Sequence, residues 1–251
     1  MKTPVIEIEG LSHRFADGSP GLEDINLLVN QGEWLVLAGP NGSGKTTLLR
    51  HLNGLLRPSS GSVRLLGTPV SENPARARQI VGMVFQNSDN QIVGETVFDD
   101  VAFGPENLCL DRKEIEKRVT RALTIVGLTQ MSDRRPHTLS GGEKRRLAIA
   151  GILAMQSSIL VFDEPFANLD YPGVRQVLRQ ITNLHQAGHT IIVATHDLDK
   201  IIAHAQRLVI MQNGRIVRDG PPVALLSEVE SFGIREPFAS RLGLEVASWL
   251  K

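Results

Sequence analysis

The chain has 251 residues, of which 41% are hydrophobic and 22% are charged, as in ordinary globular proteins. Its 27 Lys and Arg residues balance 27 Asp and Glu residues, so the overall charge predicts no bulk attraction to nucleic acid or to a membrane surface. The single cysteine, Cys109, excludes an internal disulfide framework.

The first residues and the apolar runs argue against a membrane-inserted chain. MKTPVIEIEG carries two glutamates and no apolar core, unlike a signal peptide. The runs WLVLAG, ILVF and TIIVA are far shorter than the roughly 20 residues that a membrane helix needs. We predict that they are buried strands of a soluble protein whose membrane contacts go through a partner.

The predicted elements alternate between strands and helices. VIEIEGL, DINLLVN and WLVLAG are predicted strands, and a helix over KTTLLRHLNGLL follows a glycine-rich loop. SVRLLGTPV and IVGMVFQ are the next predicted strands. A polar, irregular stretch then leads to an amphipathic helix over DRKEIEKRVTRALTIVGL, with a capping box of Asp111 and Glu114. A helix opening at LSGG, two buried strands with a helix between them and a hairpin at Asn213-Gly214 follow.

This order predicts an α/β fold. Apolar strands that alternate with helices indicate a mainly parallel sheet covered on both faces, and the half-exposed first strands add an antiparallel part. We expect one domain over residues 1–251. A helical subdomain is predicted at about residues 87–156, and a helical tail at about residues 221–251 with breaks at Gly233 and Pro237.

The segment GPNGSGKT, residues 39–46, matches the phosphate-loop pattern G-x-x-x-x-G-K-[ST] between a predicted strand and a predicted helix. Its glycines let backbone N–H groups surround phosphates, and the helix dipole favours negative charge. Lys45 can reach the β- and γ-phosphates, and Thr46 can offer its hydroxyl to Mg²⁺. A glycine-rich turn that ends in Lys-Thr by chance is the alternative. The predicted nucleotide contacts here are Asn41, Gly42, Ser43, Gly44, Lys45, Thr46 and Thr47.

Polar side chains at the ends of three other strands can complete such a site. Neighbouring residues of a strand point opposite ways, so Asp163 can serve Mg²⁺ while Glu164 faces an attacking water. His196 can contact the γ-phosphate or orient the water, although a lone histidine is more often structural. Gln86 can join the metal shell or sense its state, or it is a plain surface glutamine. Phe15 can stack on a base, or it is an ordinary aromatic residue.

The segment LSGGEKRR poses a separate question. Ser140 and Glu143 have the spacing of a capping box that starts a helix. Gly141 and Gly142 fill the first turn, although each glycine is about 1 kcal/mol worse than alanine within a helix. We predict a helix N-terminus that is kept bare for an anion.

These motifs together resemble the ATP-binding cassette (ABC) family over nearly the whole chain, from Phe15 to the NGRIVRDG hairpin. The resemblance identifies residues 39–46 as Walker A, 159–164 as Walker B, Gln86 as the glutamine loop and NLD, residues 168–170, as the D-loop. LSGGE resembles the signature that usually reads LSGGQ. The fold implied is a P-loop NTPase, an ABC-type nucleotide-binding domain with a mixed sheet core, an antiparallel β part and a helical subdomain.

The resemblance also implies a mechanism. Two cassettes pack head to tail around two ATP molecules, so that Ser140, Gly141, Gly142 and Glu143 of one chain contact ATP held by the other. Glu164 and His196 are the implied catalytic residues, Thr46, Gln86 and Asp163 the implied Mg²⁺ ligands, and Phe15 an implied nucleotide contact. Hydrolysis lets the dimer reopen, and the work is delivered as motion. Whether Glu143 itself touches the nucleotide is left open.

Several classes of protein contain an ATPase unit of this kind. A DNA-repair cassette would carry a long coiled-coil insertion between Thr46 and Leu139, a ribosome-acting cassette would carry two ATPase units, and a P-loop kinase has no use for the signature. An exporter would carry fused membrane helices. These considerations favour a transporter ATPase with membrane subunits on separate chains over a soluble ATPase that has no role in transport.

A narrower resemblance lies in VFQNSDNQIVGETVFDDVAFGPENL, residues 84–108, which is similar to ATPases of energy-coupling factor (ECF) importers of vitamins, cobalt or nickel. It implies a peripheral ATPase at the cytoplasmic face of the membrane. The implied partners are a second ABC ATPase (a copy of this chain or a sister subunit), a solute-binding membrane subunit and a transmembrane scaffold, and no nucleic acid. The scaffold would dock near residues 86–100, where Glu95, Asp99 and Asp100 could receive a basic helix. Another importer class, the transported solute and the role of the tail stay open.

Overall fold

The computed structural model describes residues 3–250, together with their side chains except those of Ser88 and Asp89. The larger of its two sheets contains the strands whose ends carry the predicted site residues. The strands of this sheet are β3 (Trp34–Ala38), β6 (Val81–Val84), β7 (Ile159–Asp163), β8 (Thr190–Thr195), β9 (Arg207–Gln212) and β10 (Arg215–Gly220). They lie in the order β10-β9-β3-β8-β7-β6, and only the β9–β10 pair is antiparallel.

The smaller sheet is antiparallel. Its strands are β1 (Pro4–Arg14), β2 (Pro20–Asn30), β4 (Ser60–Leu65) and β5 (Thr68–Pro69), in the order β2-β1-β4-β5. The single strand predicted over SVRLLGTPV is wrong, because Leu66 and Gly67 take left-handed conformations, with φ of 50° and 78°, and turn the chain into a hairpin.

Six longer helices accompany the sheets. They are α1 (Lys45–Leu52), α2 (Pro74–Ile80), α3 (Val97–Asn107), α4 (Arg112–Val126), α5 (Gly141–Ala154) and α6 (Tyr171–Gln186). Alternate residues of the central strands pack to opposite sides: Leu35 of β3 joins α1 and the smaller sheet, whereas Val36 joins the helices α3 to α6. The larger sheet is therefore covered on both faces, as its uninterrupted apolar strands predict.

Two helices, and one of the two hydrogen bonds of the predicted Asp111–Glu114 capping box, depart from the predictions. α2 forms before the predicted strand IVGMVFQ, in a segment for which no helix was predicted, and takes only its first residue, Ile80; the Asn73 side chain caps this helix by accepting from Arg76 N. α3 occupies a segment for which no helix was predicted. At α4, Asp111 caps Glu114 N as predicted, but the Glu114 carboxylate accepts from Arg118 instead of closing the box.

The helices α3, α4 and α5 pack against one another between residues 97 and 154. They lie inside the segment predicted as a helical subdomain, and the division of the chain into one domain with this subdomain stays a prediction. The tail holds only short helices, α7 (Pro222–Leu225) and α8 (Phe238–Arg241) with a 3₁₀ helix between them. Its last part is docked, since Trp249 lies 5.5 Å from the Tyr171 ring and Ser248 hydrogen-bonds His204.

None of the helices that the structure describes combines the length and the apolar composition required to cross a membrane.

Candidate active site

The loop between β3 and α1 is shaped for a close approach to its backbone. Gly42 and Gly44 have φ of 79° and 101°, a region that favours glycine. A Cβ atom on Gly44 would also lie 3.0 Å from the Gly21 carbonyl oxygen. Gly44 is the N-cap of α1 and has no side chain to cap it. The first N–H groups of the helix are thereby left for an anion at the positive end of the helix dipole.

Lys45 lies inside this loop. Its ammonium Nζ donates to the Gly39 carbonyl oxygen at 2.7 Å and to the Pro40 carbonyl oxygen at 3.0 Å. Burial lowers the pKa of Lys45, while the Glu164 and Asp163 carboxylates oppose that shift. The cation is therefore held at the centre of the loop, where a phosphate chain would lie.

Thr46 and Asp163 meet beside the loop. The Thr46 hydroxyl donates to Asp163 Oδ2 at 2.7 Å, which joins the start of α1 to the end of β7. Burial raises the pKa of Asp163; the hydrogen bond from Thr46 works against the rise and the Glu164 charge adds to it. A buried carboxylate and a hydroxyl in contact are hard oxygen donors, and a cation there would relieve the unfavourable burial of the charge. The pair therefore fits Mg²⁺.

Glu164 turns away from Asp163. Its φ of 47° breaks the strand geometry directly after β7. Its Oε2 accepts from the Thr195 hydroxyl at 3.0 Å, and its Oε1 accepts from the His196 backbone N–H at 3.0 Å and lies 2.7 Å from His196 Nδ1. The two carboxylates therefore have different hydrogen-bond partners, and a turn rather than strand alternation sets the direction of Glu164; their division into a metal ligand and a base stays a prediction. Glu164 is buried, while the His196 side chain is 54% exposed.

An open cleft of about 460 Å³ joins these groups. Phe15 lines it with a ring that is 45% exposed and lies 5.1 Å from the His13 ring. Gln86 lines it from the loop after β6, and no hydrogen bond within the described part of the chain joins its side chain to Thr46 or Asp163. The lining residues are Phe15, Pro20, Gly21, Asn41, Gly42, Ser43, Gly44, Lys45, Thr46, Thr47, Gln86, Asp163 and Glu164.

The predicted signature lies apart from this cleft, since the lining contains none of residues 140–143. The capping box at α5 is complete. Glu143 Oε2 accepts from Ser140 N at 2.7 Å and from Ser140 Oγ at 2.8 Å, and Glu143 N donates to Ser140 Oγ at 3.3 Å. Those hydrogen bonds hold the pKa of Glu143 below its ordinary value. The carboxylate is therefore used inside its own helix turn.

Packing within the chain does not explain Gly141 and Gly142. A Cβ atom on Gly141 would lie 3.7 Å from Leu169, and one on Gly142 would lie 3.7 Å from Gly173, both ordinary contact distances. Neither residue has a positive φ. The bare first turn of α5 therefore suits something outside the chain.

Sequence reasoning missed the residues that shape the loop after β6. The Gln91 side chain accepts from Phe85 N at 3.2 Å and donates to the Met83 carbonyl oxygen at 2.9 Å. Arg145 of α5 donates to the carbonyl oxygens of Phe85 and Gln86. Gln91 lies within the segment that resembles ECF ATPases, but that resemblance does not show its hydrogen bonds. Arg145 binds carbonyls 59 and 60 positions away in the chain, which no local sequence pattern reveals.

A second groove lies between this loop and the helices α3 and α5, with a volume of about 530 Å³. Val93 and Phe103 line it and are 60% and 52% exposed. The acidic residues predicted to dock a partner are mostly used internally. Asp99 accepts from Thr96 N and Thr96 Oγ1, and Asp100 accepts from Val93 N and Gly94 N. The side chain of Asp89, within the segment that resembles ECF ATPases, is not among the described side chains.

Comparison with known proteins gives consistent matches. The model of the family described as ABC transporter matches residues 22–167. The energy-coupling factor transporter ATP-binding protein EcfA of Methanocaldococcus jannaschii is 45% identical over 230 residues, which cover 90% of this chain and 82% of EcfA. The cobalt import ATP-binding protein CbiO of Rhodobacter capsulatus is 43% identical over 251 residues, covering 98% of this chain and 90% of CbiO.

A solved structure matches over a similar span. This structure is cbiO1 from Clostridium perfringens, described as part of the ABC transporter complex cbiONQ, and it is 36% identical to this chain. The TM-score is 0.83, and the match covers 92% of this chain and 93% of cbiO1.

Proposed function

This chain belongs to the ABC transporter family, and from that premise we propose that it is the ATP-binding and hydrolysing subunit of an ECF-type importer. It would energise uptake of a vitamin, cobalt or nickel through separate membrane subunits and lie at the cytoplasmic face of the membrane. The observation that carries the proposal is the similarity to EcfA and CbiO, which covers 90% and 98% of this chain. It is supported by the cleft that Lys45, Thr46, Asp163 and Glu164 line together.

The phosphate chain of ATP would lie in the loop of residues 39–46, with its charge facing Lys45 and the N-terminus of α1. Phe15 would face the base from the rim of the cleft. Thr46 and Asp163 would hold Mg²⁺, with Gln86 as the third ligand named by the sequence. When bound, the ion neutralises charge that develops on the phosphates.

Glu164 would accept the proton of the water that attacks the γ-phosphorus, as the bond from that phosphorus to the bridging oxygen breaks. Its carboxylate is fixed by Thr195 and His196, so the base is oriented before ATP arrives. His196, the more exposed partner, would orient the water or contact the γ-phosphate. Catalysis of this kind is mainly positioning and charge stabilisation.

The bare end of α5 supports pairing with a second ATPase. Its first turn exposes Ser140 and Gly141 to solvent and carries the positive end of a 14-residue helix. In a head-to-tail dimer this turn would approach the γ-phosphate held by the other chain. Both halves of such a site are present here, so a copy of this chain or a sister subunit could complete it.

The groove between α3 and α5 suits the transmembrane scaffold. Asp99 and Asp100 fix the start of α3 and the preceding loop, so a charge reversal there would disturb this chain itself. We therefore place the docking contact on the apolar residues Val93 and Phe103 rather than on the acidic cluster. An amphipathic helix of the scaffold would lay its apolar face into the groove.

The docking proposal is tested by co-purifying the chain with its membrane subunits. Phe103→Glu should abolish the complex and leave ATP affinity unchanged, because Phe103 does not line the nucleotide cleft. Leu28→Glu is the matched control, since Leu28 is 54% exposed on β2 and lies outside the groove. A Phe103→Glu complex as stable as the Leu28→Glu complex would contradict docking in this groove.

The transport proposal is tested in vesicles that contain the complex with its membrane subunits. ATP should drive uptake of labelled Co²⁺, Ni²⁺ or a vitamin, and the uptake should be lost when Lys45 is replaced by Ala. Steady ATP hydrolysis by a complex that takes up none of these solutes would point to another importer class.

A further inference from the structure

The loop that carries Gln86 is tied to the rest of the chain at two places. Gln91 closes it onto β6 through the backbone of Met83 and Phe85. Arg145 closes it onto α5, with Nη1 donating to the Phe85 carbonyl oxygen at 2.5 Å and Nη2 to the Gln86 carbonyl oxygen at 2.8 Å. Arg145 is 3% exposed, so the arginine end of both bonds is buried, whereas Gln86 at the other end is exposed.

Arg145 lies between the two regions that must act together. It is on the second turn of α5, close to Ser140 at the bare end of that helix. Ala148 and Ile152 follow at spacings that place them on the same helix face, and both line the docking groove. One face of α5 thus meets the Gln86 loop and the groove, while its N-terminus faces outward.

We infer that Arg145 is a positioning residue that couples the Gln86 loop to the signature end of α5. This inference rests on the proposed function. A planar guanidinium that holds two successive carbonyls fixes both the distance and the orientation of the loop relative to the helix. When the groove residues or Gln86 shift, the Gln86 loop and α5 then move together as one rigid body, and Ser140 moves with them. The two nucleotide sites of a dimer are linked in this way, because Gln86 lines this chain's cleft and Ser140 faces the partner's.

Arg146 provides a matched control one residue away. Its Nη1 donates to the Val126 carbonyl oxygen at 2.9 Å and to the Gly127 carbonyl oxygen at 3.4 Å, at the C-terminal end of α4. It is the same residue type on the same helix and also binds two successive carbonyls, but it holds α4 instead of the Gln86 loop. Loss of Arg146 therefore reports the structural effect of removing such an arginine.

The first test uses hydrogen exchange on the whole chain with a non-hydrolysable ATP analogue, at a protein concentration where size-exclusion chromatography shows a monomer, so that a partner's nucleotide does not itself protect the first turn of α5. In the wild type, nucleotide binding should protect amides at residues 39–47 and also at residues 85–91 and 141–147. In Arg145→Met, protection should remain at 39–47 and be lost at 141–147, whereas Arg146→Met should retain both. Protection at 141–147 that persists in Arg145→Met would overturn the inference, whatever the chain transports.

The second test measures coupling in vesicles containing the complex with its membrane subunits. Arg145→Met should lower the solute taken up per ATP hydrolysed on the order of 3- to 30-fold. Arg145→Lys should recover less than half of the loss, because a single ammonium does not reproduce the planar fork. Arg146→Met should keep the wild-type ratio. Equal ratios of solute taken up to ATP hydrolysed in Arg145→Met and Arg146→Met would overturn the inference. If the wild type takes up no solute, the proposed function is wrong, and the hydrogen-exchange experiment still tests the inference.

Discussion

Replacement of Glu143 separates two roles that the signature could give this residue. The carboxylate accepts two hydrogen bonds from Ser140, at 2.7 Å and 2.8 Å, and both lie within its own helix turn. If capping is the whole role, Glu143→Gln should be mild, since an amide oxygen can accept the same bonds. Glu143→Ala removes the acceptor and should lower the free energy of unfolding by about 1 kcal/mol.

The size of the effect follows from the exposure of the turn. Ser140 is exposed, so water replaces the lost acceptor and no buried donor is left unpaired. Glu143→Gln loses only the favourable charge at the helix N-terminus, about 0.5 kcal/mol. For a chain of this length, 1 kcal/mol shifts the melting temperature by about 2–4 °C. Melting temperatures should therefore fall in the order wild type, Gln variant, Ala variant.

The pH dependence gives the sign of the charge effect. The Ser140 hydrogen bonds hold the pKa of Glu143 below its ordinary value in the folded chain. Its stabilisation is therefore complete above the unfolded-state pKa of about 4.3 and is lost as the pH falls through the lower folded-state pKa. The stability difference between the wild type and Glu143→Gln should narrow on acidification below that range.

Thermal unfolding and steady-state ATP hydrolysis of the three proteins decide between the roles. With capping alone, the turnover of Glu143→Gln should stay within about threefold of the wild type, which is under 1 kcal/mol of barrier. A Gln variant whose melting temperature falls only by the small predicted amount, but whose turnover falls more than about 30-fold, would refute this reasoning. Glu143 would then contact the nucleotide.

Two further predictions concern the cleft. Glu164→Gln keeps an oxygen that accepts from the His196 N–H but removes the base, so the rate of phosphate release should fall by about 10²- to 10⁴-fold. Size-exclusion chromatography with ATP should then show a trapped dimer. ATP turnover at the wild-type rate would contradict the role assigned to Glu164. Asp163→Asn should reduce the Mg²⁺-dependent gain in ATP affinity about tenfold or more, as measured by fluorescence titration. Because the pKa of Asp163 is raised, the wild type should lose this gain on acidification at a higher pH than it would with an aspartate of ordinary pKa.

Prediction from the sequence succeeds best where a single physical cause sets a pattern among residues that are neighbours in the chain. Uninterrupted apolar runs such as those of β7 and β8 predict a covered parallel sheet, and Ser140 with Glu143 predicts a capping box that is present bond for bond. The loop around Lys45 also follows from its glycines. Each of these features depends on neighbours in the chain.

The failures depend on contacts that are distant in sequence or on competing side-chain partners. Glu114 could close a box with Asp111, but Arg118, one turn further along α4, takes its carboxylate. Asp99 and Asp100 suggest a charged docking surface, yet backbone donors from residues 93–96 use both. A count of charges does not show which of them are already paired within the chain.

The two glycines at the start of α5 are the best argument that the site extends beyond one chain. Each costs about 1 kcal/mol relative to alanine within a helix, somewhat less in its first turn, and neither is required by its own φ or by crowding, since added Cβ atoms would meet their neighbours at 3.7 Å. The cleft around Lys45 already suits one nucleotide, and no residue of the turn at 140–143 lines it. Under the proposed function, this turn, which has the helix N-terminus that suits an anion and lies outside the cleft of its own chain, would meet a nucleotide held by a second ATPase. Glu143 fits this arrangement because its carboxylate is turned back to the cap, which leaves the N–H groups of the glycines facing outward.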